Sequence, residues 1–199
     1  MSGSFPTEPK ASGVKITSFS PTLVSVTQSM KEQRRKRGGH RWLLEVDFPP
    51  MSRSDFAPIY AFAVAQEGQY ETFTYYPPVV STSQITTAGS GVVNGAHTAG
   101  DTTIVTDGWD ASETCLKAGD FLKFANHSKV YMAVSDVTSD GSGNATITIQ
   151  PALKADLLDN ESITTGNVPF TVRFDSDAAE FDVGTELVYS YSMKLLEVI

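Results

Sequence analysis

This sequence of 199 residues contains a single cysteine, Cys115, and no long run of apolar residues. One cysteine excludes an internal disulfide and a cysteine-based zinc site, so an intracellular place of assembly is the simpler interpretation. We expect its thiol to be small and partly buried. No segment is apolar enough to predict a membrane span, and the N-terminal MSGSFPTEPK lacks the basic and apolar regions of a signal peptide. A soluble protein that is not exported by that route is expected.

Motifs for catalysis or metal binding are also missing. The three histidines, His40, His97 and His127, stand in unrelated contexts without the H-E-x-x-H spacing of a zinc hydrolase. We interpret each as a surface or turn residue. Residues 89–95, GSGVVNG, contain one residue too many for the dinucleotide motif G-x-G-x-x-G and are interpreted as a flexible loop.

An apparent calcium-binding loop begins at Asp136 and includes Asp140 and Asn144. Its third position is Thr138 and its twelfth is Ile147, which cannot supply the bidentate carboxylate that calcium needs. We interpret these residues as a turn. The sequence predicts no enzyme activity, no metal and no cofactor.

The clearest structural pattern begins at residue 41. Hydrophobic residues alternate with Arg41, Leu43, Glu45 and Asp47, which is the period of two of a strand with one face on a core. Two prolines follow directly and end the strand. The residues predicted to be buried are Trp42, Leu44, Val46 and Phe48.

A capped helix is predicted next. Ser52 and Asp55 form an S-x-x-D capping signal, and Met51 and Phe56 stand in hydrophobic-staple positions. Pro58 lies beyond the first turn if Ser52 is the cap, so the helix start can shift toward Asp55. The predicted shared face consists of Phe56, Ile59, Tyr60 and Ala63.

This block, residues 38–78, resembles small structural proteins from the tails of tailed bacteriophages, of the distal tail or tube-end type. In that group GG-x-RW, YPPM-S/T-R-x-EFAP and Q-x-G-x-Y/F-E-x-F recur. Phe48 replaces the usual tyrosine and Asp55 the usual glutamate. The matching residues are Gly38, Gly39, Arg41, Trp42, Pro49, Pro50, Met51, Arg53, Phe56, Ala57, Pro58, Gln66, Tyr70, Glu71 and Phe73.

The resemblance implies a mainly β fold: a tail-tube-like antiparallel sandwich or barrel with one packed helix and an inserted small β-domain. It implies a structural virion protein of the tail, assembled in the host cytoplasm, that forms a hexameric ring at the distal end of the tail tube. Its partners are then other copies of itself, the tail tube and baseplate or tail-tip proteins. No membrane is expected as a partner, and nucleic acid is expected only in passage through the channel.

The domain division follows a change in composition. After Pro78 the sequence is rich in Ser, Thr, Gly and Val until about Val168. We predict a ring-forming domain of residues 1–78 plus 169–199 and an inserted β-barrel or sandwich of residues 79–168. Strands of the insert are predicted at 120–124, 130–137 and 145–150, with DGSGN as the hairpin loop between the last two. Its predicted core aromatics are Trp109, Phe121 and Phe124.

The ring-forming domain is predicted to contain further strands, near residues 14–30 and around Tyr70. Alternation also predicts two C-terminal strands. Their buried positions are predicted as Phe170, Val172 and Phe174, and as Leu187, Tyr189, Tyr191, Met193 and Leu195.

Charge is concentrated in one segment. The chain has a formal net charge of −8, yet residues 31–41 are strongly basic. A solvated loop and a nucleic-acid contact are possible interpretations. We favour a third, in which this loop contacts the acidic surface of a neighbouring subunit and fixes its register. The candidate contact residues are Arg34, Arg35, Lys36 and Arg37 with Asp175, Asp177, Glu180 and Asp182.

Two alternatives to a purely structural ring component stay open. The insert can be a receptor- or carbohydrate-binding module on the virion surface, with exposed aromatics as a sugar platform. A tail-associated hydrolase would need paired carboxylates such as Glu67 and Glu71 to meet in a cleft. Trp42 and Tyr60 likewise have two interpretations, as core residues, which we favour, or as interface anchors.

Overall fold

A computed structural model describes residues 3–184 and 188–199. The protein is mainly β with one packed helix, and this confirms the predicted fold class. The chain forms two compact units. We call residues 6–72 and the described part of 172–198 the flanking unit, and residues 3–5, 73–171 and 199 the central unit.

The described residues form 17 strands and one helix. In chain order these are β1 (Gly13–Phe19), β2 (Thr22–Val26), β3 (Glu32–Lys36), β4 (Arg41–Asp47), α1 (Arg53–Ala65), β5 (Phe73–Tyr75), β6 (Gly89–Val93), β7 (Thr103–Trp109), β8 (Thr114–Leu116), β9 (Phe121–Phe124), β10 (Val130–Ala133), β11 (Val137–Thr138), β12 (Ala145–Gln150), β13 (Ile163–Thr164), β14 (Phe170–Phe174), β15 (Asp182–Val183), β16 (Tyr189–Ser190) and β17 (Ser192–Glu197).

The main sheet of the flanking unit has the order β1-β4-β17-β14, with antiparallel neighbours. In its middle, Leu44 of β4 lies opposite Ile16 of β1 and Leu195 of β17. The backbone N–H of Trp42 donates to the buried carboxylate of Glu197 at 3.1 Å, which satisfies a donor near the end of this ladder.

The predicted buried face of β4 is confirmed, because Trp42, Leu44, Val46 and Phe48 are all buried. The predicted C-terminal pattern is confirmed at Phe170, Val172, Phe174, Tyr191, Met193 and Leu195. Tyr189 is half-buried, and Leu187 lies outside the described residues.

Helix α1 begins at Arg53, with Ser52 as its N-cap. The Ser52 hydroxyl accepts from the Asp55 N–H at 3.4 Å, and the staple residues Met51 and Phe56 are both buried. The expected shift of the start toward Asp55 does not occur. Pro58 lies inside the helix on an exposed face, where the missing hydrogen bond is offset by the cap and the staple.

The strands predicted near residues 14–30 are confirmed as β1 and β2, which Pro21 separates. Two sequence interpretations of the flanking unit are wrong. Residues 31–41 are not simply a loop, because β3 pairs with β2 along five residues. Tyr70 lies in a turn and is 78% exposed, because the positive φ angles of Glu67 (53°) and Gly68 (65°) turn the chain after the helix.

The central unit is built on a sheet with the order β13-β9-β10-β12-β7-β6. Its two edges approach each other, since the N–H of Val93 donates to the carbonyl of Glu161 at 2.9 Å and the N–H of Asn160 donates to the carbonyl of Val93 at 2.8 Å. The sheet is therefore a nearly closed barrel. Large side chains that fill it are Ile104, Leu122, Phe124, Tyr131, Ile147 and Ile149.

The strands predicted in the insert are largely confirmed. β12 has the predicted bounds, β9 begins one residue later than predicted, and the segment 130–137 is divided into β10 and β11. Residues 89–93 form strand β6, so the interpretation of 89–95 as a flexible loop is wrong. Two closely spaced glycines, Gly89 and Gly91, interrupt the residue pattern by which a strand is recognised.

The predicted core aromatic Trp109 is buried against two glycines. Its indole N–H donates to the Thr106 hydroxyl at 2.8 Å, and a Cβ on Gly91 would lie 2.1 Å from the indole ring. Gly143, in the predicted DGSGN loop, has φ +80°, and a Cβ there would lie 2.3 Å from the Trp109 carbonyl oxygen. The loop therefore requires glycine at 143, whereas a Cβ on Gly141 meets nothing within 4 Å.

We predict that Gly143→Ala destabilises the protein by roughly 2–4 kcal/mol, because it combines a backbone clash with a left-handed conformation. Gly141→Ala, in the same loop, is the matched control and should change stability by less than about 1 kcal/mol. Chemical denaturation of both variants measures the difference. Equal stabilities for the two variants would contradict the packing of the loop on Trp109.

A buried carboxylate organises the entry of the chain into the barrel. Asp120 accepts from the Ser83 hydroxyl at 2.6 Å, from the Lys117 N–H at 2.9 Å, and from the backbone and side-chain N–H groups of Gln84 at 3.1 Å each. Burial by itself raises the pKa of Asp120, but these hydrogen bonds outweigh burial and lower the pKa below its usual value. The folded state thus favours the ionised carboxylate.

This lowered pKa predicts a specific acid response. The stabilisation from Asp120 is present above the pKa of the unfolded chain, about 4, and is lost as the pH falls through the lower folded value. Asp120→Asn should therefore cost roughly 1–3 kcal/mol at neutral pH, and its deficit relative to wild type should shrink in acid. Denaturation at pH 7 and pH 3 checks this. The exposed Asp175→Asn is the control, and a deficit of Asp120→Asn that is the same at both pH values would refute the assignment.

Candidate functional site

Strands β2 and β3 form a two-stranded antiparallel hairpin, which we call the basic arm. All ten of its strand residues are exposed. A two-stranded ribbon gains little stability in water unless one face packs on something. Because the basic arm buries neither face in the chain, it has the character of a contact element.

The two faces of the basic arm differ. Leu23 lies opposite Arg35 on one face, and Val24 lies opposite Arg34 on the other. Arg34 forms an ion pair with Glu32 on its own strand. The strand residues give both faces a net charge of +1, from Arg35 on one face and from Arg34, Lys36 and Glu32 on the other. Arg35 is the strand arginine that no ion pair in the described part of the chain engages.

Among the described residues, no ion pair involves Arg35, Lys36 or Arg37, and each of them is exposed. The N–H of Arg37 donates to the Pro21 carbonyl at 3.2 Å, so this bond closes the base of the basic arm. The predicted basic contact residues thus share one exposed hairpin.

The predicted acidic contact residues follow β14. Asp175, Asp177, Glu180 and Asp182 are all exposed. Asp177 also has a structural role, because its carboxylate accepts from the Gln69 N–H at 3.2 Å after helix α1. Three of the four line one cavity, and Asp175 does not.

This cavity, which we call the acidic groove, has a volume of about 820 Å³ and lies within the flanking unit. Its walls come from α1, from the segment after β14, and from β16 and β17. Lys194 is the one cationic side chain in its lining. The lining carboxylates are Asp47, Glu67, Asp177, Glu180 and Asp182.

Aromatic rings form part of the groove wall. Phe181 is 40% exposed, and its ring centroid lies 4.9 Å from that of Phe56 and 4.8 Å from that of Tyr60. The Tyr60 hydroxyl donates to the Ala179 carbonyl at 3.3 Å, which ties the helix to the acidic segment. Burial, followed by the neighbouring Tyr60, raises the pKa of Tyr191 to about 12, so this lining phenol is neutral at physiological pH.

The sequence analysis predicted the positions of only some of these aromatic residues. Trp42 is a core residue as favoured, but Tyr60 is half-buried and lines the acidic groove. Phe181 was missed. Its signal is the sequence Glu180-Phe181-Asp182, a large aromatic residue between carboxylates in a polar segment.

The two predicted charge groups do not meet within one chain. In the part of the chain that the structure describes, no hydrogen bond or ion pair joins the basic arm to the acidic segment. Both groups are exposed in the single chain.

Two polar residues outside the basic arm and the acidic groove, His40 and Cys115, are packed inside the protein. His40 is buried, lies 2.9 Å from the Ser18 hydroxyl and packs edge-on against Trp42 at 4.8 Å, so its interpretation as a surface residue is wrong. Cys115 is buried, and burial raises the pKa of its thiol.

The other two histidines have partners inside the central unit. The His97 ring accepts from the Val105 N–H at 3.1 Å. Burial, followed by Lys123 and Lys129, lowers the pKa of His127, whose Nε2 lies 2.7 Å from the Tyr131 hydroxyl. Across residues 3–184 and 188–199, no cluster of three or more histidine, cysteine or acidic residues is arranged to hold a metal. In the same residues no helix has the length and apolarity to cross a membrane.

The proposed sugar platform is not formed by the predicted aromatics. Trp109, Phe121 and Phe124 are all buried in the central unit. An aromatic ring must be exposed to stack on a sugar, so these three residues have a packing role.

The described residues form two mainly β units, one of which carries an exposed charged hairpin and an acidic groove. Residues 84–168, inside the central unit, match the family described as "Distal tail protein pb9, B domain". No curated protein matches the chain. The resemblance to phage distal tail proteins, drawn from residues 38–78, is thereby confirmed from a separate part of the chain. The family is one of structural components of the virion tail.

We predict that replacing residues 22–36 with an Asn-Gly turn leaves the fold intact. Pro21 and Arg37 are already hydrogen-bonded neighbours, and a two-residue turn suits that geometry. The free energy of unfolding should change by less than about 0.5 kcal/mol, as for exposed surface changes. Trp42→Ala, which removes a buried ring, is the comparison and should cost about 3–5 kcal/mol. A loss from the deletion as large as that from Trp42→Ala would show that the arm packs on its own chain.

Proposed function

We propose that this protein forms a ring at the distal end of a phage tail tube and joins the tube to baseplate or tail-tip proteins. The observation that carries the proposal is the basic arm, whose strand residues are all exposed, on a chain with distal-tail family features. An exposed two-stranded ribbon is stabilised when a neighbour covers it. We propose six subunits, as the family resemblance implies.

In this ring, residues 1–78 plus 169–199 form the ring-forming domain, and residues 79–168 form the inserted domain on the outside. The subunits assemble in the host cytoplasm, and nucleic acid meets them only by passing through the channel. We assign the protein a structural role and no reaction. A stable ring contact should bury at least about 1,000 Å² in total.

Charge fixes the register of the ring. We propose that Arg34, Arg35, Lys36 and Arg37 of one subunit face the acidic segment of the next, whose residues are Asp175, Asp177, Glu180 and Asp182. Surfaces of opposite electrostatic potential accelerate the encounter of two subunits and disfavour wrongly aligned contacts between them. The pairing is supported by the exposure of both surfaces, between which the described residues form no ion pair.

Cryo-electron microscopy of the concentrated full chain tests the ring itself. A closed ring with a central channel is expected. Discrete monomers or open, irregular aggregates at all concentrations would count against a ring formed by this chain.

We predict that reversing Arg34, Arg35 and Arg37 to glutamate weakens assembly at least about tenfold in Kd, or about 1.4 kcal/mol. The monomer should still fold, because the side chains are exposed. The matched control changes the same three residues to lysine, which keeps the charge but not the guanidinium group and should weaken assembly less than the glutamate variant does. Sedimentation velocity and thermal unfolding give the two readouts. Normal oligomers from the glutamate variant would refute the charged contact.

A further inference from the structure

The acidic groove has a chemistry that goes beyond simple negative charge. Its described lining combines five carboxylates with the exposed ring of Phe181 and the half-buried ring of Tyr60. A guanidinium group binds best where carboxylates and ring faces occur together, since it donates hydrogen bonds in its plane and stacks through its faces. The groove therefore has the character of a receptor for arginine.

The size of the groove points to side chains from a protein rather than one ion. A volume of about 820 Å³ is in the range of sites that accommodate a small molecule or several side chains. The groove is lined by both charged and apolar groups, such as Glu180 and Phe181. A bound segment that presents a cation next to an apolar side chain can contact both the charged and the apolar groups of the lining.

One face of the basic arm supplies this combination. Arg35 lies opposite the exposed Leu23, so an arginine and an apolar side chain share the face. On the other face, Arg34 is already paired with Glu32. The two arginines are adjacent in sequence and exposed, but they present different surroundings to a partner.

We propose that the acidic groove of one copy binds the Leu23–Arg35 face of the basic arm of a second copy. In this contact the Arg35 guanidinium lies against Phe181 and Tyr60 and pairs with Glu180 or Asp182, and Leu23 covers the exposed aromatic edge. The inference rests on the proposed assembly between copies and deepens it by naming the receptor. Within the acidic segment, the receptor for Arg35 consists of the residues that line the groove, Asp177, Glu180 and Asp182.

Directed disulfide formation between full-length chains tests the pairing. A chain with Arg35→Cys is mixed with a chain carrying Glu180→Cys under mild oxidation. Cys115 is buried, so each folded chain presents only its introduced thiol. A covalent heterodimer is expected in this mixture. The matched controls are Arg34→Cys with Glu180→Cys, which changes the arm face, and Arg35→Cys with Asp175→Cys, which changes the acidic position.

Association energetics provide an independent readout that does not depend on thiols. Arg35→Gln and Glu180→Gln should each raise the Kd of self-association at least about tenfold, while Arg53→Gln and Glu113→Gln, at exposed positions outside the basic arm and the acidic segment, should change it much less. Both pairs remove the same charge, so the comparison cancels the general effect of net charge. Phe181→Ala should also weaken association at high salt, where its ring contact with Arg35 and Leu23 is not screened.

Charge exchange completes the test. Arg35→Glu alone and Glu180→Arg alone should each weaken association, and the chain with both changes should recover a substantial part of it. No recovery together with equal crosslinking in all three mixtures would overturn the assignment.

The outcomes separate this inference from the proposed function. Rings that form without the Arg35–Glu180 crosslink refute the groove contact and leave the ring proposal intact. The crosslink in oligomers that are not closed rings supports the contact and refutes the ring. A chain that stays monomeric at high concentration, with no crosslink, overturns both.

Discussion

The flanking unit depends on the pairing of β4 on both of its edges. β1 follows one edge from Gly13 to Phe19, and β17, at the other end of the chain, pairs with the opposite edge. The buried carboxylate of Glu197 accepts from the Trp42 N–H in the same region. More than a hundred residues separate these partners, and loop-closure entropy grows only slowly with such length. The sequence between β4 and β17 can therefore contain the whole barrel. The flanking sheet is completed only when the C-terminal strand β17 pairs with β4.

This return of the chain also creates the candidate contact surfaces. The acidic groove needs α1, the segment after β14 and the last strands, so it exists only once the C-terminal part has paired. The basic arm needs none of them, because its hydrogen bonds are local and its base is closed between Pro21 and Arg37. One surface is thus a product of long-range pairing and the other of a local hairpin. A contact between copies would couple an early-forming element to a late-forming one.

Sequence patterns predicted the elements that combine strong periodicity with clear end signals. Alternation marked β4, two prolines marked its end, and Ser52 marked the start of α1. Prediction failed where the local signals disagreed. Gly89 and Gly91 disguised β6, and the basic side chains of β3 resembled a solvated loop although backbone pairing with β2 makes them a strand. His40 appeared to be a surface residue, yet tertiary packing places it against Trp42.

The sequence by itself determined the β-rich class, the cap and staple of the helix, the core faces of the strands and the concentration of positive charge near Arg35, because each depends on neighbours within a few residues. Tertiary structure decided which charges share a surface. It gathered Asp47, Glu67 and the Glu180–Asp182 segment, which come from three separate parts of the sequence, beside the ring of Tyr60, and it left Asp175 outside. Side-chain period sets the face of a strand, but the position of one element against another depends on packing across the whole unit.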